Sequence, residues 1–258
     1  MKPQIISVDN HKFIAYPHLW DMGFFHVFTT GDMDMGFVTT KSYPLLKEQI
    51  AFIMDAFEMK PRGLFSGYQI HGDYIESIVT EKEGDAFPLG RMSPESDGTI
   101  TNIKNITLMT KFADCMPLLF FDPIKKVQAG IHSGWKGTML HIGPKALKKM
   151  VAQYGSNPRD IIVVIGPSIR KCHFEVEADV AIPFMEQFPH AGDKIVKVDS
   201  VKYHIDLQGL LREELLSEGI QAENILETGF CTHCEPWLHS YRRDKENFGL
   251  MAALSILI

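Results

Sequence analysis

Three short segments hold the residues best able to do chemistry. They are Gln69-Ile70-His71-Gly72, Ala113-Asp114-Cys115-Met116-Pro117, and the run from Ala129 through His132 to Thr138. Imidazole and thiolate are good zinc ligands, and His71, Cys115 and His132 make a set of three. Three protein ligands leave the fourth tetrahedral position open for water or substrate, the pattern of a catalytic zinc. Zinc in such a site lowers the pKa of bound water to about 7. The three residues are widely spaced in the chain, so no compact zinc signature joins them. By residue type alone, each histidine could be a hydrogen-bonded structural residue and Cys115 a small buried hydrophobe.

After His132 the chain reads Ser133-Gly134-Trp135-Lys136-Gly137-Thr138. Glycines let backbone N–H groups converge, a helix N-terminus favours an anion, and Lys136 adds positive charge. Gly134, Trp135, Lys136 and Gly137 therefore form either a phosphate cradle or a tight turn with Trp135 in the core. Near the C-terminus stand Cys231-Thr232-His233-Cys234 and Ser240-Tyr241-Arg242-Arg243-Asp244. One Cys-x-x-Cys without a second pair is weak evidence for structural zinc and reads as free thiols. One of Arg242 and Arg243 could give its guanidinium to phosphate or carboxylate, the other being a surface charge pair. Asp97 and Asp114 could orient ligands, carry protons or cap turns. Cys172 reads as structural.

These residues need a scaffold. The spacing predicts strands over 24–30, 63–72 and 161–168, and three more in the stretch 105–135, the last two joined as a hairpin at Asp122-Pro123. Residues 30–44 and 81–99 read as loops. Helices are expected over 45–58, through Glu175–Phe188 and Asp206–Gly219, and from about Thr138 to Gly155, where Pro144 must kink the helix or begin a second one. The final segment, from Phe248, reads as a strand or a short helix. Hairpin-linked strands among helices predict a mixed-sheet α/β (α+β) sandwich with flanking helices, one domain over residues 1–258.

Composition bounds the function. Of 258 residues, 45% are hydrophobic and 22% charged, enough apolar material for a core without disulfides. The net charge of -6 and the scattered basic residues argue against nucleic acid as a partner. No apolar run spans a bilayer or marks a signal peptide. With four cysteines read as reduced thiols, a cytoplasmic location is expected.

The segments QIHG, ADCMPLLFFD, AGIHSGWKGT, IGPSIRKCHFEV and CTHC with SYRRD resemble, in order, those of the YfiH family, from about residue 24 onward. Its members are the laccase-domain proteins long labelled multicopper polyphenol oxidases. The resemblance implies a sandwich fold distantly shared with Cys-His deamidating toxins. It implies Zn2+ on His71, Cys115 and His132, with Asp114 beside them. It also implies phosphorolysis of purine nucleosides such as adenosine and inosine, with adenosine deamination at the same site. Phosphate and nucleoside would be met by Gly134, Trp135, Lys136, Gly137, Tyr241, Arg242 and Arg243. A monomer or weak homodimer is expected. Blue-copper oxidation would need several His-rich motifs, and this chain offers one three-ligand set. The chain departs from the family pattern in carrying Gly31 and Lys136 where arginines are usual, and Leu238-His239 before Ser240. Two rival readings use the same residues: a metal-free hydrolase or amidase with Cys115 as nucleophile and His132 as base, and a non-enzymatic binding protein.

Overall fold

The computed structural model describes residues 1–258. A hairpin, β1 (Gln4–Val8) and β2 (His11–Ala15), leads through one helical turn, α1 (His18–Asp21), into β3 (Phe24–Thr29). The short α2 (Phe37–Thr40) and the longer α3 (Tyr43–Ala56) follow. Ser42 caps α3 by accepting from the Leu45 N–H, and Pro44 occupies the first turn, where no N–H is needed. Next come β4 (Gly63–Gly67), β5 (Ile75–Ser77), β6 (Asp85–Phe87), β7 (Gly90–Ser93) and β8 (Gly98–Thr101). Three long strands make the centre: β9 (Ile106–Phe112), β10 (Met116–Asp122) and β11 (Val127–Ser133).

The second half alternates more regularly. It runs α4 (Trp135–Met139), α5 (Ile142–Tyr154), β12 (Ile162–Ile165), β13 (Glu175–Glu177) and α6 (Ala178–Gln187). Then follow β14 (Ile195–Lys197), β15 (Lys202–Ile205), α7 (Leu207–Ser217) and β16 (Ile225–Glu227). The chain closes with α8 (Tyr241–Asp244) and β17 (Met251–Leu257).

Two large mixed sheets stack face to face. One has the order β1-β2-β3-β17-β9-β4-β7-β6, the other β16-β12-β10-β11-β8-β5. Side-chain alternation sorts the layers. Phe24, Phe28, Phe112 and Ala253 of the first sheet meet Leu119, Phe121 and Val164 of the second. The intervening Phe25, Val27, Leu254 and Ile256 face outward onto Ile53 and Met54 of α3. Met116, Leu118, Phe120 and Val163 face the opposite way, onto Ala146, Leu147 and Met150 of α5 and Leu210 and Leu211 of α7. Both faces of each sheet are thus covered, which is why these strands read as continuous apolar runs. The expected mixed-sheet sandwich with flanking helices is present.

Several local readings need correction. Residues 81–99, expected as loop, contain β6 and β7, short edge strands too rich in Gly, Pro and Asp to show a period. The N-terminal hairpin carried no element assignment, because β1 alternates weakly and is mostly exposed. The strand expected over 63–72 stops at Gly67, where a Cβ would lie 2.0 Å from the Ser96 carbonyl oxygen. The helix expected from about Thr138 to Gly155 starts earlier, at Trp135, and is two helices. His141 takes a left-handed conformation between them, φ 59°, and Pro144 has no N–H to continue α4. The C-terminal ambiguity resolves as a central strand, paired with β3 and β9.

Candidate functional site

Strand register brings the chemistry together. In the β10–β11 hairpin Met116 pairs with Ser133 and Pro117 with His132, so Cys115 stands opposite Gly134. Ile131 of β11 pairs with Gly98 of β8, which sets Asp97 beside His132. His71 arrives on the loop after β4. Gln69 pins that loop to β9: its amide donates to the Lys111 carbonyl at 2.7 Å and accepts from the Lys111 N–H at 2.9 Å. The ligand atoms of His71, Cys115 and His132 lie within 4.8 Å of one another. The two imidazoles meet edge-on, centroids 4.9 Å apart.

Asp97, 1% exposed, organises two of the three. Its carboxylate accepts the backbone N–H groups of Ile70 (3.1 Å), His71 (3.0 Å) and Gly72 (2.8 Å). It also accepts from His132 Nδ1 at 2.8 Å, which leaves Nε2 for the Cys115 side. Burial would raise this carboxyl, but the His132 hydrogen bond and the Gly72 and Ile70 N–H groups hold it below the ordinary carboxylate range. His71 has φ 63° and Asp114 φ 78°, conformations that cost a non-glycine residue about 1–3 kcal/mol. Asp97 holds the first. The second is held by Asp114 itself, which accepts from Thr232 Oγ1 at 2.5 Å and from the Arg242 N–H at 2.6 Å.

Gly134 clears the space between the three side chains. A Cβ there would lie 3.0 Å from Cys115 Sγ and 3.0 Å from His71 Cδ2. Burial pushes the Cys115 thiol up, but the His132 and His71 rings outweigh it and bring it down to about 6. Burial pushes His132 down, but Cys115 and Asp97 raise it to about 9. Without a metal the pair is therefore a thiolate facing an imidazolium at neutral pH. The donor set suits a divalent transition metal: two imidazoles, one thiolate, a carboxylate behind one ring, and an open side at the exposed His71.

A family model described as multi-copper polyphenol oxidoreductase laccase matches residues 28–258. The chain belongs to this family. Purine nucleoside phosphorylase YlmD of Bacillus subtilis is 34% identical over 203 residues, 78% of this chain and 73% of that protein. The crystal structure of YlmD from Geobacillus stearothermophilus superposes with a TM-score of 0.87 at 22% identity, covering 98% of each chain. That of the hypothetical protein YfiH from Bacillus licheniformis gives 0.84 at 24% identity, covering 96% of each. The YfiH-like fold expected from the sequence is thus shown.

The family's other segments surround the three ligands unevenly. Gly134 caps α4, and its carbonyl accepts from the Thr138 N–H and hydroxyl. Trp135 packs on the core at the edge of α5, and exposed Lys136 lies over its ring at 5.5 Å. Gly137 is buried, 3.4 Å in Cβ terms from the Gly72 carbonyl. A groove of about 310 Å³ runs beside Trp135, lined by Phe174, Val176 and Val180, by the carboxylates Glu177 and Asp179, and by Arg242. Arg242 donates to the carbonyls of His173 (3.2 Å) and Glu175 (2.9 Å) with one nitrogen, lies over the Phe174 ring and lines the groove. Tyr241 is exposed and packs edge-on to Phe248. Arg243 is otherwise employed. It binds the carbonyls of Thr232, His233, Glu235 and Leu238 and pairs with Asp244, so it staples a loop.

Asp97, expected to orient ligands, carry protons or cap a turn, is set by the β8–β11 register to hold His132 and the His71 loop. One feature of this region was not legible in the sequence. Cys172, read as structural, and Cys231 and Cys234, read as free thiols, come together with His173 in one cluster. The Cys-x-x-Cys hinted at it, but its partners lie far upstream. Gly31 also has a local reason. Its N–H donates to the Trp237 carbonyl, and a Cβ would lie 3.0 Å from that oxygen, so the Trp237 backbone fills the space a side chain would need.

Proposed function

We propose that this chain is a zinc-dependent purine nucleoside phosphorylase acting on adenosine and inosine, with adenosine deamination at the same site. The observation that carries the reading is the convergence of His71, Cys115 and His132 around the space Gly134 leaves open, in a chain whose relatives bear the phosphorylase name. Zn2+ held by these three residues would supply Lewis-acid polarisation and an acidified water.

The chain's own residues then do the positioning. Asp97 orients His132 and the His71 loop, so the ligands are preorganised. The groove along Trp135 and Phe174 offers apolar walls to a purine, with Arg242, Glu177 and Asp179 in its lining to meet hydroxyl or amino groups. Lys136 and the first N–H groups of α4 favour phosphate. Phosphate attacks the anomeric carbon of the ribose, the glycosidic C–N bond breaks, and the departing purine nitrogen takes a proton. For deamination, water adds at the purine C6 carbon and ammonia leaves. Asp114 is a positioning residue here: its carboxylate already accepts from Thr232 and Arg242, which fixes Cys115 next to it. A cytoplasmic protein of one domain, monomeric or weakly dimeric, completes the reading. No helix is long and apolar enough to cross a membrane.

The test is release of free purine from adenosine and inosine with and without phosphate, alongside metal content. Cys115→Ala is expected to lose the metal held with His71 and His132 and at least about 100-fold in rate, more than losing a group that only hydrogen-bonds a ligand typically costs. Full zinc without phosphate-dependent purine release would sink the phosphorylase reading.

A second reading has its own observation. Cys115, His132 and Asp97 line up as nucleophile, base and orienting carboxylate. A metal-free Cys-His hydrolase would keep amidase or esterase activity after chelation. Its rate would form a bell between about 6 and about 9, falling below as the thiolate protonates and above as His132 loses its proton.

A further inference from the structure

On the face beyond α8, two loops meet. One follows β12 and carries Cys172 and His173; the other follows β16 and carries Cys231 and Cys234. The three sulfurs and one imidazole nitrogen lie within 4.8 Å of one another. Cys172 Sγ is 3.7 Å from Cys231 Sγ and 3.7 Å from Cys234 Sγ. His173 Nδ1 is 3.2 Å from both Cys172 Sγ and Cys234 Sγ. All four cysteines of the chain are unpaired by disulfide.

The sulfur–sulfur separations are those of a coordination sphere, and the imidazole nitrogen needs to draw back by only a few tenths of an ångström to join it. Zinc–sulfur bonds of about 2.3 Å at tetrahedral angles put two thiolates about 3.8 Å apart. The His173 ring stacks on His233 at 3.9 Å between centroids, which fixes its plane. Three sulfurs and an imidazole fill all four positions, so the site has the closed character of a structural centre, unlike the three-ligand set at His71. Thiolate-rich tetrahedral donors select zinc over the hard cations.

We propose that Cys172, His173, Cys231 and Cys234 bind a second zinc ion, one that holds the wall of the substrate groove in place. Binding displaces the thiol protons to solvent and leaves the sulfurs as thiolates. The connection to the groove is direct. The His173 carbonyl accepts from Arg242, and Phe174 forms the groove wall. The two loops are already in register: Ser168 bridges Cys231, Thr232 N–H donates to the Ser168 carbonyl, and Thr232 Oγ1 reaches Asp114. The metal would lock this path from the surface cluster to the residue before Cys115.

The experiment counts metal in the full chain. Wild type is expected to carry two zinc ions per chain, and Cys115→Ala and Cys234→Ala one each. Cys234 is exposed, so its loss leaves the core intact. In the Cys115→Ala background, cobalt loading is expected to give a thiolate charge-transfer band of three-sulfur intensity, absent once Cys234 is also replaced. One zinc per chain, lost in Cys234→Ala and kept in Cys115→Ala, would support this site while removing the metal from the proposed active centre. Unchanged metal content in both Cys234→Ala and His173→Ala overturns the second site. So does a disulfide among Cys172, Cys231 and Cys234 in freshly isolated protein, seen by mass spectrometry.

Discussion

Two clusters of metal-capable residues stand in this molecule, and they differ in how they are built. The His71, Cys115 and His132 set sits at the open end of the sandwich, where strand registers bring three remote segments together. A buried carboxylate and a bare glycine prepare it, and it leaves a coordination position free. The Cys172, His173, Cys231 and Cys234 set lies at the surface between two loops and offers four donors. A site for chemistry needs an open position and a supported first shell; a site for holding loops together needs only its ligands. On the proposed assignments the same residue types would serve two purposes, told apart by the number of donors and by the carboxylate that holds His132.

The largest expected effect breaks the comparison at its support. Asp97→Asn keeps the shape but weakens the hydrogen bonds to His132 and the His71 loop. A loss of about 10–100-fold in activity or metal affinity is expected at the first site, with metal at the second cluster retained. Equal loss from both clusters in metal analysis would erase the distinction.

Gly134→Ala comes next. Its Cβ would sit 3.0 Å from the Cys115 sulfur, so the ligands must spread by a few tenths of an ångström. About a tenfold weaker metal affinity is expected by the same scale, with thermal stability close to wild type. Competition with a coloured chelator reads it. Wild-type affinity would show that the glycine clears no space for a ligand.

The two adjacent arginines sharpen the contrast between loop support and substrate contact. Arg243→Ala is expected to cost about 2–3 kcal/mol of stability, since it leaves several carbonyls without their charged donor. Arg242→Ala is expected to raise KM with a smaller change in stability. Denaturant titration with steady-state kinetics separates them, and the reverse pattern would exchange their roles.

The last is a pH control at a residue in neither cluster, whose effect vanishes at neutral pH. His26 lies buried between the sheets, accepting from the Tyr16 N–H at 3.1 Å, and burial pushes it down to about 3. The unfolded chain binds its proton first, near 6.5. The stability that neutral His26 contributes is complete above that pH and declines as pH falls toward about 3. His26→Gln should flatten the acid limb of the denaturation midpoint. Metal release on acidification should persist, because thiolate and imidazole ligands protonate regardless. An unaltered acid limb would place the sensitivity in other groups.

How much of this was legible follows from where each signal resides. The continuous apolar runs of β9 to β12 announced a buried sheet, and the 3.6-residue spacing of α3 and α7 announced covering helices, because burial imprints itself on neighbouring residues. The edge strands β6 and β7 carried no such imprint. The three ligands stood out by type and by resemblance to a known family, and the structure brings their donor atoms together. Arg243 looked like a phosphate ligand until its carbonyl partners were visible, and Lys136 stands exposed on a helix of one turn.

The sequence by itself determined the ligand types, the glycines that flank Trp135 and Lys136, and the apolar runs that make two sheets and their helical covers. Those are properties of single residues and of spacing along the chain. Only the tertiary structure decided that Asp97 serves both His71 and His132, that Asp114 is a tether, and that Cys172 and His173 meet Cys231 and Cys234. Each of these depends on register between segments remote in sequence, and a one-residue slip in any strand would turn the same side chains to the opposite face.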